Sequence, residues 1–296
     1  MLRLLARVLL RRAALLVCAL ALVSLTQSLL PGDGLRGALG PHATDEQRSA
    51  LRHELWLDRP WPVRFGHWTA CALTGDFGTT LRGAGVSEIV GAALPNTALL
   101  AGCALVLVGA LAPVLGGWWA LSKSRLLGPS TTLLIATPEF VVAVGLVLVF
   151  AIWLGWLPAA SIGEPDPAAL VLPIVALTAP QLAWNTAVAH AAVADQLRAP
   201  HAAASVRDGL TRSQVLARHV LPSALPTIAG SLGTTAGLLF SGALVVESVF
   251  NIPGLGQIIT SAVAGRDENL VLGALAPAAA LISLVLAVAD IARSRV

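Results

Sequence analysis

The chain has 296 residues, of which 56% are hydrophobic and only 12% charged, with a formal net charge of +3. A soluble domain carries roughly 25% charged residues, so half that share leaves too little polar surface to face water, and lipid is the simplest medium for the remainder. The basic balance does not indicate a nucleic-acid partner, because the arginines are scattered through short connections rather than gathered on a phosphate-binding face.

Crossing the hydrocarbon core takes about 20 mostly apolar residues in helical form, since an open sheet would leave backbone groups unpaired in lipid. Six stretches reach that length: about 13–30, 97–121, 131–154, 168–193, 224–249 and 270–291. The expected fold class is all-α, a polytopic membrane protein with about six transmembrane helices in a single domain over 1–296. Trp118, Trp119, Trp153 and Trp156 end apolar runs, where an amphipathic ring suits the membrane interface. The first span has the basic start and apolar middle of a signal peptide. Leu-Pro-Gly-Asp follows it instead of a small-residue cleavage site, and removing it would leave five spans.

An outer loop, about 31–93, separates the first two spans. Within it Thr44-Asp45-Glu46-Gln47 is a capping box, in which the Thr44 hydroxyl accepts from a free backbone N–H and Gln47 reaches back. A short amphipathic helix from about Asp45 to Leu57 should follow, ended by Asp58-Arg59-Pro60.

The basic residues set the orientation. Arg3, Arg7, Arg11 and Arg12 precede the first span, Lys123 and Arg125 follow the second, Arg198, Arg207, Arg212 and Arg218 follow the fourth, and Arg293 and Arg295 end the chain. With six spans all these groups fall on one side, which the positive-inside rule makes cytoplasmic. The opposite side has Glu164 and Asp166 without a base, and Arg266 offset by Asp267 and Glu268.

Polar residues inside the apolar runs are few. Glu139 follows Pro138 early in the third span, either as a wetted interfacial acid or as a pathway contact for a substrate amine. Glu247, at the outer end of the fifth span, either braces the Pro253-Gly254 turn or lines an outer gate. Asn185 and His190 are expected as interhelical glue, and Asp290 as a partner of Arg293. Cys18, Cys71 and Cys103 have no metal-ligand spacing. The six histidines are scattered, and His42, His53 and His67 share the outer loop without helical i,i+4 spacing, so no metal site is expected. There is no nucleophile turn, H-E-x-x-H or C-x-x-C, and no G-x-x-x-x-G-K-[ST] phosphate loop. No catalytic residue or cofactor is assigned, and any ATPase must be another polypeptide.

The connection of about 195–222 is exposed, basic and spared a run of apolar residues. It is expected as a short helix, a break at Gly209, and a second basic helix capped by Thr211, with Pro222 starting the return into the membrane. Its apolar minority, Val206, Leu210, Val215 and Leu216, suits a helix-in-groove contact with a soluble partner.

Here the sequence resembles a known family. Ala203-Ala204-Ser205, Gly209, Leu210 and Leu221-Pro222 are spaced as in the EAA loop of ABC importer permeases, with Ala203 where the name has an acid, as is common in the peptide class. Leu29-Leu30-Pro31-Gly32-Asp33, Leu57-Asp58-Arg59-Pro60, Gly75-Asp76-Phe77-Gly78, the run Glu247 to Gly256 and Ala264-Gly265-Arg266-Asp267 resemble further motifs of the peptide/nickel class, in the family's order. The resemblance implies the type I importer permease fold in a bacterial inner membrane. It implies a homologous second permease, two ATPase subunits that bind the ATP, and an extracytoplasmic solute-binding protein as partners, with di- or oligopeptides or nickel as cargo. It also implies that Ala203 to Leu210 docks in a cleft of the ATPase. Two rival readings are an ion-driven carrier, which would need paired intramembrane acids in inverted halves, and a membrane enzyme or structural subunit, which for catalysis would need a reactive cluster at one interface.

Overall fold

The computed structural model describes residues 2–29, 34–40, 43–122, 126–160, 167–200 and 210–293. These residues are helical apart from turns and one isolated bridge between Thr79 and Gly85. Their contacts divide the chain into two compact units, residues 1–97 with 252–284, and residues 98–251 with 285–296.

The first unit holds α1 (Leu2–Leu29), α2 (Leu35–Leu39), α3 (Asp45–Glu54), α4 (Trp61–Ala72), the start of α5 (Val86–Ser122), α11 (Leu255–Gly265) and most of α12 (Glu268–Arg293). The capping box forms as expected, with Gln47 N donating to Thr44 Oγ1 (3.2 Å) and Thr44 N to Gln47 Oε1 (3.0 Å). Helix α3 stops at Glu54, three residues before the expected end at Leu57. Trp56 adopts a left-handed φ of 60° and Leu57 N turns back to Arg52 O (2.8 Å). Helix α4 was not anticipated from the apolar runs, because it is too short and polar to cross lipid. Its start is set by Pro60, extended at φ −56° and ψ 141°, and by Pro62 in the first turn, where a missing N–H costs nothing. Trp61, Phe65 and Trp68 share one face and continue onto Phe77 as a stack with centroids 6.1, 6.3 and 6.3 Å apart. Trp68 is buried against Leu20 of α1 and Leu272 of α12.

The second unit holds the rest of α5, α6 (Leu127–Ala136), α7 (Glu139–Leu146), α8 (Pro167–Arg198), α9 (Arg212–Val215) and α10 (Leu221–Phe250). Helices α8 and α10 form its centre. Both bury many small side chains, including Ala176, Ala183 and Ala189 on one and Ala224, Ala236 and Ala243 on the other. Without a hydrophobic drive in lipid, small residues let backbones approach and gain dispersion.

Two expectations about the spans need correction. The third is not one straight helix: α6 and α7 meet at 101°. Pro138 disfavours a helical conformation at Thr137, which is extended at φ −89° and ψ 120°, and the proline has no N–H to continue the ladder. Beyond α7 the helix widens into a π segment, Val147–Trp153, which closes with Leu154 N on Val149 O (3.0 Å). Nor does Pro222 begin a span. The helix runs unbroken over Leu216–Phe250, because a π segment at Leu216–Val220, with Leu221 N on Leu216 O, relieves the clash Pro222 would make with the preceding turn.

Four helices are long and apolar enough to cross a membrane: Leu10–Leu29, Val86–Ser122, Pro167–Arg198 and Leu216–Phe250. The bent pair α6–α7 would be a fifth. The sixth expected span coincides with α12, whose described apolar stretch, Glu268–Leu284, falls short of 18 residues.

The α5–α8 contact depends on Gly116. A Cβ there would lie 2.5 Å from Ala189 Cβ, 2.7 Å from His190 N and 2.8 Å from Thr186 O. Gly116→Val should therefore cost about 2 kcal/mol or more through overpacking and lower the thermal midpoint of the purified protein in detergent. Gly102→Ala, where a Cβ meets nothing within 4 Å, should not lower the midpoint, since Ala is the better helix former.

Candidate functional site

A polar ladder runs through the helical core of the second unit. Thr178, Gln181, Asn185 and Thr186 of α8 are all buried. Asn185 Nδ2 donates to Thr235 Oγ1 of α10 (2.7 Å) and to Gln181 O (2.8 Å), while Ser231 Oγ donates to Asn185 Oδ1 (2.7 Å). This is the interhelical glue expected of Asn185. Such bonds are worth about 0.6 kcal/mol each in a membrane core, and Asn185 has both ends of its amide engaged. His190 acts by stacking, its ring 3.9 Å from that of Trp119 at an 18° tilt.

One turn before Asn185, Gln181 Nε2 donates to Glu139 Oε1 (3.3 Å). Glu139 opens α7 immediately after the bend, where free backbone N–H groups favour an anion. It is half-buried, and its carboxylate lies against α10 at Gly242, where a Cβ would stand 3.0 Å from both oxygens. The acid is thus packed at a junction of three helices rather than trailing from a helix end. Sequence alone gave no sign of Gln181 or Gly242 as its neighbours, since they lie 42 and 103 positions away. Glu247 is fully buried late in α10.

The family-like motifs resolve into joints. Asn251 is left-handed at φ 52° and ends α10, its N–H on Glu247 O. Within the first unit, Asn96 Nδ2 donates to Pro253 O (2.8 Å) and Leu255 N to Thr97 Oγ1 (2.9 Å), which ties the start of α11 to α5. Arg266, at φ 56°, ends α11. Asp267 begins α12 by accepting from Leu270 N (3.1 Å), and it also accepts from Leu81 N (2.8 Å). Burial pushes the Asp267 carboxyl above its usual range, and the two N–H groups oppose that shift. In the Gly75-Asp76-Phe77-Gly78 turn, Asp76 Oδ1 accepts from Gly78 N (2.8 Å), and both glycines have left-handed φ near 80°.

The connection expected to dock on an ATPase is only partly described: Ala203, Ala204, Ser205 and Gly209 lie outside the described residues. Its C-terminal half is well defined. Thr211 caps α9 as expected, in a second capping box, with Thr211 N on Gln214 Oε1 (2.9 Å) and Gln214 N on Thr211 Oγ1 (3.4 Å). Leu210, Leu216 and Leu221 pack on a buried cluster of Ala189, Val193, Val215, Val220, Ala224 and Ile228. Leu210 and Leu221 are therefore anchors in the core between α8 and α10, and Pro222 stands beside them at the π segment. Lys123, Arg125, His42, His201, Glu164, Asp166, Leu30 to Asp33 and the side chains of Asp290 and Arg293 also lie outside the described residues.

Among the described residues no group of three His, Cys, Asp or Glu side chains could hold a metal. The first unit holds a different polar cluster. Arg64 of α4 forms an ion pair with Glu268 of α12, Ser24 of α1 donates to Glu268, and Trp61 Nε1 donates to Ser24 Oγ (2.9 Å). Both charged side chains are largely buried, 17% and 14% exposed. Glu268→Ala should cost about 3 kcal/mol of apparent stability, because it leaves the Arg64 charge buried and uncompensated. The double variant Arg64→Leu with Glu268→Leu should regain at least half of that loss, read as thermal midpoints in detergent.

Comparison with known proteins agrees with this architecture. A family model described as "Binding-protein-dependent transport system inner membrane component" matches residues 112–296. A probable peptide ABC transporter permease protein of Sinorhizobium fredii is 29% identical, with 88% of each chain covered. A glutathione transport system permease protein of Salmonella typhimurium is 30% identical over 86% of this chain and 85% of its own. A putative peptide permease protein of Brucella suis is 28% identical over 94% and 92%. The chain belongs to the family of inner membrane components of binding-protein-dependent transport systems, and it is a multi-pass ABC importer permease.

Proposed function

We propose that this chain is the permease subunit of an ATP-driven importer of peptides, and that it forms the translocation pathway together with a homologous second permease. The observation that carries this reading is the family match over 112–296, which includes the whole coupling segment. Peptides are favoured over nickel as cargo because the similar proteins include permeases named for peptides and for glutathione, itself a tripeptide. The sequence has no phosphate loop of the G-x-x-x-x-G-K-[ST] form, which supports two separate ATPase subunits that bind the ATP. An extracytoplasmic binding protein would deliver the cargo.

Ala203 to Leu210 is the segment that docks on the ATPase. Its C-terminal end is held by Leu210 and by the Thr211 box, and Leu216 and Leu221 join that end to α10 through the π segment. A displacement imposed on the docking segment would reach α8 and α10 through Leu210, because both helices share the cluster on which Leu210 packs. The arginines flanking this segment favour a cytoplasmic location for it and for both termini.

Purification of the chain from its native membrane should bring along an ATPase, a second permease and a binding protein, all identifiable by mass spectrometry. Recovery of the chain alone would refute the importer reading. Gly209→Val should abolish substrate-stimulated ATP hydrolysis without changing the amount of chain in the membrane; full hydrolysis would refute the docking assignment. Cysteines introduced by Gly163→Cys and Thr211→Cys, in a variant lacking the native cysteines, should react with an impermeant maleimide from outside and only after permeabilisation, respectively. Reversed labelling would refute the topology.

A further inference from the structure

We propose that Glu139 and Gln181 form a recognition site for the protonated primary amine of the transported solute; this rests on the reading of the cargo as a peptide. An ionised acid inside a membrane span is expensive and needs a partner. Glu139 receives one neutral hydrogen bond, from Gln181 Nε2, and among the described residues no Lys, Arg or His side chain pairs with it. The same bond fixes the Gln181 amide. With its nitrogen on the carboxylate, its oxygen is left without a donor, and Gln181 Oε1 is buried and unpartnered in a residue only 8% exposed. Thr178, three residues earlier on the same face of α8, also has a buried and unpartnered hydroxyl. The junction therefore offers an excess of acceptors beside one negative charge. A primary ammonium brings three donors and one positive charge. A divalent metal would ask for about six oxygen ligands, usually with more than one carboxylate, which a single acid does not supply.

The bend lies directly beside the acid. Thr137 and Pro138 interrupt the helix within an apolar pair, and Pro138 is exposed. Irregular backbone at membrane depth is tolerated only where protein covers it or a water-filled cavity meets it. Gly242 makes room for the carboxylate itself, since any larger residue would press on it. A free amino group is common to ordinary peptides and to glutathione, so one site of this chemistry serves both.

The test uses the complete importer in proteoliposomes, with radiolabelled alanyl-alanine as the probe. Glu139→Gln keeps the size and the bond to Gln181 but removes the charge, whereas Glu139→Asp keeps the charge and shortens the chain. A recognition site predicts at least a tenfold loss of uptake for E139Q and at least half of normal uptake for E139D. Both variants should be present in the membrane at normal amounts and hydrolyse ATP within twofold of normal in response to loaded binding protein. Normal uptake by E139Q overturns the site. So does a loss shared equally by E139D, which would mark a packing role, or a parallel fall in ATP hydrolysis, which would mark a gating role. An unaltered importer that takes up no alanyl-alanine, while still assembling with its ATPase, would instead overturn the peptide reading on which the site rests.

Discussion

Lipid offers no hydrogen bonds, and most features of this chain follow from that constraint. Every backbone or side-chain polar group within a span must find its partner inside the protein, a partner subunit or trapped water. The ladder of Asn185, Thr235, Ser231 and Gln181 meets the demand side chain by side chain. The two π segments meet it for the backbone, by re-forming bonds where a strict α-helical ladder is not kept. The 101° break before Glu139 interrupts the backbone ladder, and close by it Gln181 Oε1 is buried without a partner.

The same constraint explains why the family-like motifs look chemical in sequence yet behave as joints. Asn251 and Arg266 take left-handed conformations that end helices, and Asp267 starts the next one. Asn96 and Thr97 spend their polar atoms on the Pro253–Leu255 turn. A helix end near a membrane exposes unpaired N–H and C=O groups, so short side chains that cap them are worth retaining for that reason alone. None of these residues needs to touch a solute to matter.

The segment proposed for coupling and the acid proposed for recognition are joined through packing within the second unit. The cluster of Ala189, Val193, Val215, Val220, Ala224 and Ile228 binds the foot of α10 to α8. Further along the same helix pair lies the ladder, and at its end the Glu139 junction. Under the proposed docking, motion delivered at Leu210 and Leu221 would act on the helices that frame the acid, through close-packed contacts.

The helical class, the positions of the long spans, the Thr44 capping box and the cap at Thr211 were legible in the sequence, because each rests on local composition: apolar run length and a Thr at the start of a helix. Helix α4 was missed because twelve residues of mixed polarity carry no span signal, and its identity comes from an aromatic stack with Phe77. The direction of the bend, the persistence of α10 through Pro222, the Arg64–Glu268 pair and the neighbours of Glu139 were decided by tertiary structure alone. The physical reason is that those outcomes depend on groups far apart in the chain. Gln181 and Gly242 reach Glu139 only once α8 and α10 have packed, and no periodicity within a single segment encodes that meeting.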